Sequence, residues 1–250
     1  MIFKPFYAFE TGCASYLFGC ASLGVCAVVD PLEQFEEEYI KFANEKAMGI
    51  THIFETHVHA DHRSAGRSLV RRLDDDVLYC LHGSASVSFP FEALDDGQEI
   101  EIGNTLVRVL HTPGHTPESV CYLVTDRSRS SAPWFLLTGD TLFVGAVGRP
   151  DLPGQAEENA GLLFDSIHGK LLNLPDALEI YPGHFSGSLC GAGMSGKPSS
   201  TIAFEKSHNP MLSMDRETFV EALSDVPPKP ADMQLILRSN QGLETEPTRR

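Results

Sequence analysis

The feature that most constrains this chain is the segment at residues 56–62, Thr-His-Val-His-Ala-Asp-His, with three imidazoles and one carboxylate in seven positions. Neutral imidazole and carboxylate are common protein ligands of borderline and hard divalent metals. Side chains two positions apart point the same way in an extended segment, so His57 and His59 can face one point. The alternative is a polar loop with hydrogen-bonded histidines. Because so many ligand types follow an apolar strand, the segment favours a metal site.

Three further candidate ligands follow along the chain. His115 ends a His-Thr-Pro-Gly-His run, Asp140 ends Leu-Leu-Thr-Gly-Asp, and His184 ends Tyr-Pro-Gly-His. Each comes after a predicted strand and a glycine turn. With the H-x-H-x-D-H motif at residues 57–62, they resemble the ligand set of the metallo-β-lactamase superfamily, in that superfamily's order. The resemblance covers roughly the first five-sixths of the chain.

The resemblance implies an α/β fold, an αβ/βα four-layer sandwich, with the metal at one edge where strand-end loops meet. Predicted strands with interposed helices in both halves suit such a layered fold. A chain of 250 residues with 42% hydrophobic content can form one sizeable core. We predict a single catalytic domain over residues 1–238 and a flexible C-terminal tail over residues 239–250.

Composition excludes several partners. A net charge of −15 argues against nucleic acid, whose phosphates demand a basic footprint. The sequence contains no recognisable signal peptide and no apolar run of membrane-spanning length, which favours a cytoplasmic protein without a membrane partner.

Six scattered cysteines without close pairs predict reduced buried thiols rather than a disulfide framework.

Two interpretations of the ligand set remain open from spacing alone. In the first, two metals, expected to be zinc, generate hydroxide for attack on a thioester, as in glyoxalase II. The second-metal ligands would then be His59, Asp61, His62 and His184. In the second interpretation, one metal is held by a two-His, one-carboxylate face that leaves open positions, typical of non-haem Fe(II) oxygenases. That face would consist of His57, His115 and Asp140.

The flanking segments resemble the persulfide dioxygenase branch of the superfamily. Residues 138–151 carry its G-D-x-L and G-R-x-D elements, and residues 111–119 and 200–210 fit the same branch. The resemblance implies one Fe(II) per chain on the two-His, one-carboxylate face. It also implies oxidation of the terminal sulfur of a low-molecular-weight thiol persulfide by O2, giving sulfite and the free thiol. Open iron positions would bring the two substrates together.

The same resemblance gives the other candidates supporting roles. His59 and His62, with Asp61 and His184, would orient the ligands and hold waters. The candidate catalytic residues beside the metal are Asp61, His184, Arg149 and Asp151. Arg149 can anchor an acidic group of the substrate, or it can form a structural ion pair in its loop.

A Gly/Ser-rich loop at residues 187–200 leaves the strand that carries His184, so we expect it to line the substrate entrance. Its Cys190 can contact a sulfur substrate, although a free cysteine is more often a small hydrophobic residue. Lys197 can meet a phosphate or carboxylate of the carrier thiol, whereas a mobile surface loop is the alternative. This loop and Met211 depart from glutathione-using members, which leaves the carrier thiol open.

The implied partners are small: a thiol persulfide and O2. The version with this loop resembles bacterial enzymes that are sometimes fused to a rhodanese domain, and we see no rhodanese segment in this sequence. A functional link to a separate rhodanese-type sulfurtransferase and a homodimer both stay open. A metal-binding protein without turnover, such as a sensor or scaffold, is the third class of function to be tested.

Overall fold

The computed structural model contains twelve strands and six α-helices in the residues that it describes, which are 1–73, 76–152, 154–185, 193–223 and 232–243. The first half contains β1 (Ile2–Ala8), β2 (Cys13–Cys20), β3 (Val25–Val29), α1 (Glu36–Glu45), β4 (Gly49–Phe54), α2 (Gly66–Arg72), β5 (Leu78–His82) and β6 (Glu92–Leu94). The second contains β7 (Glu99–Ile102), β8 (Thr105–His111), β9 (Val120–Asp126), β10 (Phe135–Gly139), α3 (Ala156–Gly169), β11 (Glu179–Pro182), β12 (Ser200–Thr201), α4 (Ile202–His208), α5 (Arg216–Ala222) and α6 (Met233–Asn240).

Each half forms one six-stranded sheet. The first sheet has the order β1-β2-β3-β4-β5-β6 and the second has the order β12-β11-β10-β9-β8-β7, so strands that pair are also successive in the chain. β3 to β6 run parallel, and so do β10 and β11. A parallel pair needs a crossover connection, and α1, α2 and α3 supply three of these.

Three hydrophobic cores separate four layers. The central core lies between the sheets and contains Phe18 of the first and Tyr122 of the second. One outer core packs Tyr39 of α1 and Leu69 of α2 against the first sheet. The other packs α3, through Leu163, and α5 against the second sheet. Helix, sheet, sheet and helix therefore stack in order, which confirms the predicted αβ/βα sandwich as a single domain.

Most predicted strands are found within one or two residues, but helix boundaries differ. Apolar residues at helical spacing over residues 33–48 predict one helix, but the structure has a 3-10 turn at Glu33–Phe35 followed by α1. Gly49 predicts that the helix ends there, and this is wrong, because α1 ends at Glu45, before Ala47 with its left-handed φ of 53°. The pattern over residues 63–73 also predicts a helix, but α2 begins only at Gly66, which leaves Asp61 and His62 in a loop.

The short elements β6, β12 and α4 have no counterpart among the sequence predictions. Their lengths of three, two and seven residues are too short for hydrophobic periodicity to reveal them. α6 continues to Asn240, into the segment predicted as a flexible tail. Residues 244–250 of that tail lie outside the described ranges.

The five cysteines within the described ranges are all buried free thiols, as the sequence predicts. Cys190 falls in a stretch that the structure does not describe. Among the helices of the described part of the chain, none has both the length and the apolar character needed to cross a membrane.

Candidate metal centre

The loop after β4 carries the histidine-rich motif, and both sheets hold it in place. The Glu55 N–H donates to the Cys80 carbonyl of the first sheet at 3.0 Å. The Val120 N–H of the second sheet donates to the Thr56 carbonyl at 2.9 Å. Asp30, at a left-handed φ of 49°, accepts from the backbone N–H and the hydroxyl of Thr56 at 2.7 and 2.9 Å. These hydrogen bonds fix the loop between the two sheets.

The predicted ligands lie in three groups, and the ligand atoms within each group are all within 4.8 Å of one another. The first group is the predicted two-His, one-carboxylate face. The second unites three predicted ligands with a cysteine, and the third surrounds one histidine with two carboxylates. The three groups are His57, His115 and Asp140; Cys13, Asp61, His62 and His184; and Asp30, Glu55 and His59.

In the first group, the outer nitrogen of each imidazole is occupied by a hydrogen bond. His115 Nδ1 donates to the Arg149 carbonyl at 2.8 Å. His57 Nδ1 lies 3.0 Å from Thr56 Oγ1, and because that hydroxyl donates to Asp30, the imidazole must be the donor. Both bonds fix the tautomer that leaves Nε2 with a lone pair.

One buried oxygen of the first group lacks a partner. Asp140 Oδ2 lies 3.5 Å from His115 Nε2 and makes no hydrogen bond to any described residue. Buried polar atoms are nearly always paired, so an orphaned carboxylate oxygen facing imidazole lone pairs fits a bound cation. The donor chemistry of this group therefore fits a divalent metal.

Close backbone approach around Asp140 requires glycine at two positions. Gly139 has a φ of 49°, and a Cβ there would lie 2.5 Å from Thr56 Oγ1. A Cβ on Gly148 would lie 1.9 Å from the Asp140 carbonyl oxygen. A side chain at Gly139 would push against Thr56 of the histidine-rich loop, and one at Gly148 would push against the Asp140 backbone.

The pKa values of His57 and Asp140 are shifted in the directions that favour cation binding by the first group. Burial lowers the pKa of His57 well below its ordinary value, and neighbouring His59 lowers it further. Burial alone would raise the pKa of Asp140, but His184, followed by His115 and His57, holds it below the usual range. The group therefore presents a neutral imidazole beside an ionised carboxylate, the protonation states that metal ligation needs.

The second group centres on the Asp61 carboxylate. Asp61 Oδ2 lies 2.7 Å from His184 Nε2 and 3.6 Å from Cys13 Sγ, while Oδ1 lies 3.2 Å from His62 Nδ1. Burial alone would raise the pKa of Asp61, but His184 and His62 hold it well below its ordinary value. His184 Nδ1 lies 2.7 Å from Asp140 Oδ1, so one imidazole joins the first two groups.

Sequence reasoning missed Cys13, because it lies in β2, far from the motif. A β-bridge pairs it with His184, and the Ala14 N–H donates to the Gly183 carbonyl at 2.8 Å. Burial alone would raise the pKa of Cys13, but the neighbouring imidazoles of His184 and His62 outweigh that effect and lower it to about 6. No local sequence pattern marks this residue.

The hydrolase interpretation makes His59 a ligand of the second metal. In the structure His59 lies in the third group, apart from Asp61, His62 and His184. His59 Nε2 lies 3.2 Å from Asp30 Oδ1 and 3.3 Å from Glu55 Oε2. Burial alone would lower the pKa of His59, but these carboxylates raise it well above its ordinary value. Its Nδ1 is buried without a partner in the described ranges, and its ring centroid lies 4.1 Å from that of His57. The two carboxylates thus orient this ring beside the first group.

The last described helix also contacts the ligand loop. Asn240 Nδ2 donates to the carbonyls of His59 and His62, both at 2.8 Å, and its Oδ1 accepts from the Ser64 N–H at 3.0 Å. A single amide satisfies three backbone groups of the loop. Since Asn240 is distant in sequence from the motif, only the structure could reveal this contact.

Replacing Asn240 with Ala is expected to weaken metal binding about 10-fold, because residues that position metal ligands usually contribute about 10- to 100-fold. Competition with a chelator measures the affinity. The Asn240→Asp variant is a matched control, since it keeps the acceptor for Ser64 but turns a carboxylate oxygen toward two carbonyls. We expect it to bind metal more weakly than Asn240→Ala. Unchanged affinity in both variants would contradict a positioning role.

Arg149 and Asp151 form a buried ion pair, the structural alternative considered for them. Arg149 is 2% exposed, and its Nε and Nη2 donate to the two carboxylate oxygens of Asp151 at 2.7 and 3.0 Å. The Arg149 carbonyl accepts the His115 Nδ1–H bond described above. The pair therefore fixes a backbone segment that orients a ligand of the first group.

Of the predicted substrate loop, the structure describes residues 193–200, and Cys190 lies outside the described ranges. Lys197 is exposed, with Nζ 5.8 Å from the Phe204 ring centroid. Met194 packs against Phe143, whose ring centroid lies 6.1 Å from that of His184. The described end of the loop is thus connected to the second group by direct packing.

Comparison with known proteins gives one family, and its relatives have more than one activity. The family model described as "Metallo-beta-lactamase superfamily" matches residues 9–184. The mitochondrial persulfide dioxygenase ETHE1 of Bos taurus is 28% identical over 237 residues, which cover 94% of this chain and 86% of that protein. A hydroxyacylglutathione hydrolase of Nitrosococcus oceani is 28% identical over 253 residues, which cover 90% of this chain and 92% of that protein.

Two solved structures are similar over nearly the whole chain. A metallo-beta-lactamase from Staphylococcus aureus has a TM-score of 0.90 and 36% identity, covering 96% of this chain and 72% of that one. ETHE1 from Myxococcus xanthus has a TM-score of 0.84 and 30% identity, covering 97% of this chain and 99% of that one.

Proposed function

Since the chain belongs to the metallo-β-lactamase superfamily, we propose that it is a persulfide dioxygenase with one Fe(II) bound by His57, His115 and Asp140. The proposed reaction converts a thiol persulfide, O2 and water to the free thiol, sulfite and two protons. The observation that carries the proposal is the donor set of the first group, two imidazoles and one carboxylate, typical of non-haem Fe(II) oxygenases. Similarity to the ETHE1 proteins supports it.

When bound, the iron would supply open coordination positions for O2 and the persulfide sulfur. The protein itself orients the metal ligands. Thr56 and the Arg149 carbonyl fix the two imidazole rings, and the buried Arg149–Asp151 pair holds that carbonyl in place. Catalysis depends on such fixed geometry, because reacting atoms must meet in a near-attack arrangement.

We assign proton handling to Asp61 and His184. His184 lies 2.7 Å from Asp61 at one nitrogen and 2.7 Å from Asp140 at the other, and it is fully buried. A proton held on this imidazole is next to the metal group, where the released thiolate needs one. Efficient general acids lie within hydrogen-bond reach of the reacting site, which suits this arrangement.

The second candidate function is a dinuclear zinc hydrolase of the glyoxalase II type. The observation that favours it is the second group, in which Asp61, His62 and His184 meet beside the first. The relative described as a hydroxyacylglutathione hydrolase supports the same candidate. Two metals would activate a shared water for attack on a thioester.

Metal analysis of protein purified without added metal, combined with an oxygen electrode, tests the choice. The dioxygenase proposal expects one iron per chain and O2 consumption with glutathione persulfide. Two zinc per chain, with thioester hydrolysis and no O2 consumption, would establish the hydrolase instead. His62→Ala should keep the iron, whereas His57→Ala should lose it. If the protein binds metal but shows neither activity, a function as a metal-binding sensor or scaffold is the remaining candidate.

We propose that the segment around residues 187–200 forms one wall of the substrate entrance, with Cys190 and Lys197 as candidate substrate contacts. Arg149, the third candidate from the sequence, is buried in its ion pair with Asp151 and keeps the positioning role described above. Lys197→Ala is expected to lower kcat/KM about 2- to 5-fold for coenzyme A persulfide, because an exposed charge contributes little. Oxygen consumption with glutathione and coenzyme A persulfides measures this effect, and Cys190→Ser is compared alongside. The control is Lys41→Ala, which removes an exposed lysine from α1. If neither loop substitution changes kcat/KM, the segment is not a substrate wall.

Several expectations from the sequence stay predictions. They are the catalytic domain over residues 1–238, a cytoplasmic location, a homodimer, and a functional link to a rhodanese-type sulfurtransferase. The proposed substrates are a small thiol persulfide and O2. Mass photometry and a pull-down with a candidate sulfurtransferase would test the two assembly predictions.

A further inference from the structure

A cavity of about 270 Å³ adjoins the first group and has no role in the metal chemistry described above. Its walls come from the histidine-rich loop, from the loop that follows His115, and from α6. Val58 of the first loop directly follows the ligand His57, and Thr116 of the second directly follows His115. A molecule in this cavity would therefore lie beside both imidazole ligands of the first group.

The wall of the cavity is largely apolar. Leu152, Met233 and Leu237 supply apolar surface, and Ser86 supplies a hydroxyl at the exposed rim. Among the described residues of this wall, Glu118 is the one charged side chain. An uncharged chain or a cation suits such a wall, whereas a carboxylate on the ligand would meet a like charge.

Glu118 is a buried carboxylate without a counter-ion. It is 8% exposed, and its Oε1 accepts from the Val58 N–H at 3.0 Å. Within the described ranges it forms no ion pair with Lys, Arg or His. A buried charge is costly unless it is paired, so a ligand that brings an ammonium or N–H group would offset this cost. Glu118 therefore has the position of a ligand-binding group.

We propose that this cavity binds the carrier thiol of the persulfide and that Glu118 determines which carriers are accepted. The accepted class has an amino group or an amide N–H a few bonds from the sulfur and no carboxylate at that position. This inference rests on the proposed function for its reaction. Small-molecule sites usually measure roughly 300–1,000 Å³, so a cavity near the lower limit holds the chain next to the sulfur and leaves the rest of a larger carrier outside.

Three small thiols of similar size test the charge preference. Cysteamine carries an ammonium, 2-mercaptoethanol is neutral, and 3-mercaptopropionate carries a carboxylate. Calorimetry of the iron-loaded protein without oxygen measures how tightly each free thiol binds. We expect cysteamine to bind about 10-fold more tightly than 3-mercaptopropionate, because hydrogen bonds between charged groups are about twice as strong as neutral ones. The same order is expected in kcat/KM when O2 consumption is measured with the three persulfides.

The variant Glu118→Gln keeps an oxygen for the Val58 N–H and removes the charge. We expect cysteamine to bind about 10-fold more weakly to it, 3-mercaptopropionate to bind more tightly, and 2-mercaptoethanol to be unchanged. Because the acidity of the sulfur also differs among the three thiols, this comparison isolates the effect of the carboxylate. Glu45→Gln makes the same change at an exposed site on α1 and should keep the original order.

A second variant locates the binding without changing a charge. Ser86→Trp adds bulk at the exposed rim of the cavity, so it should weaken the binding of all three thiols and keep their order. Circular dichroism establishes that the variants are folded. If Glu118→Gln does not fold, Ser86→Trp and the order of the thiols in the unchanged protein still decide.

Equal affinity for the three thiols, an order that survives in Glu118→Gln, or unchanged binding in Ser86→Trp would each overturn the proposal. The two readouts also separate this inference from the proposed function. The expected order of binding without O2 consumption would reject the dioxygenase and support the cavity. O2 consumption without a charge preference would support the dioxygenase and overturn the role of Glu118.

Discussion

Replacing Asp140 with asparagine is expected to abolish iron binding and reduce O2 consumption to background. The amide keeps the shape of the side chain but removes the negative charge, and one of its two polar atoms becomes a donor. Asp140 uses one oxygen toward His184 at 2.7 Å and leaves the other unpartnered among the described residues. We expect metal affinity to fall by more than about 100-fold, since even residues that only support ligands contribute about 10- to 100-fold.

Iron content by elemental analysis and affinity by chelator competition measure this effect. Asp165→Asn is the matched control, because it makes the same chemical change at an exposed site on α3. It should retain iron and activity. An Asp140→Asn protein that still carries one iron per chain would remove Asp140 from the ligand set and with it the proposed first group.

Replacing Asp151 with alanine is expected to lower the free energy of unfolding by about 3 kcal/mol. Arg149 is 2% exposed and would lose both oxygens of its carboxylate partner. Removing one member of a buried ion pair typically costs about 3–5 kcal/mol. The lower value applies because the Asp151 side chain is 14% exposed, so water can reach the vacated position.

Urea denaturation of the metal-free protein measures the change and separates it from iron loss. The double variant Arg149→Met with Asp151→Leu is the control, because it removes both charges and should recover much of the stability. If the single and double variants are equally stable, the pair does not hold this loop. The Asp151→Ala protein should also bind iron more weakly, since the Arg149 carbonyl orients His115.

The family and its layers could be predicted from the sequence because they depend on local patterns. The motif at residues 57–62 and its three downstream partners occur in a fixed order, and the match over residues 9–184 confirms the family. Similarity to the ETHE1 proteins confirms the resemblance to the persulfide dioxygenase branch. Strands such as Val25–Val29 were predictable because apolar runs end at strong turn residues.

The partners of the ligands could not be predicted, because they come from distant parts of the chain. Cys13 reaches the second group only through a bridge between the first and second sheets. Asp30 and Glu55 enclose His59 because β3 and β4 lie side by side. Asn240 comes from the last described helix. Sequence spacing carries no information on such contacts, since tertiary packing alone creates them.

Each sheet is formed by one contiguous half of the chain, and the ligands of the first group come from both halves. A bound ion would therefore link the two halves. The first sheet ends at Leu94 and the second begins at Glu99, yet His57 comes from the first half while His115 and Asp140 come from the second. Neither half alone can hold the ion, so metal binding favours the docked arrangement by mass action. Two fragments separated within residues 95–98 should therefore reassociate more tightly with metal than without it. The fold could then serve as a split reporter whose reassembly measures available iron.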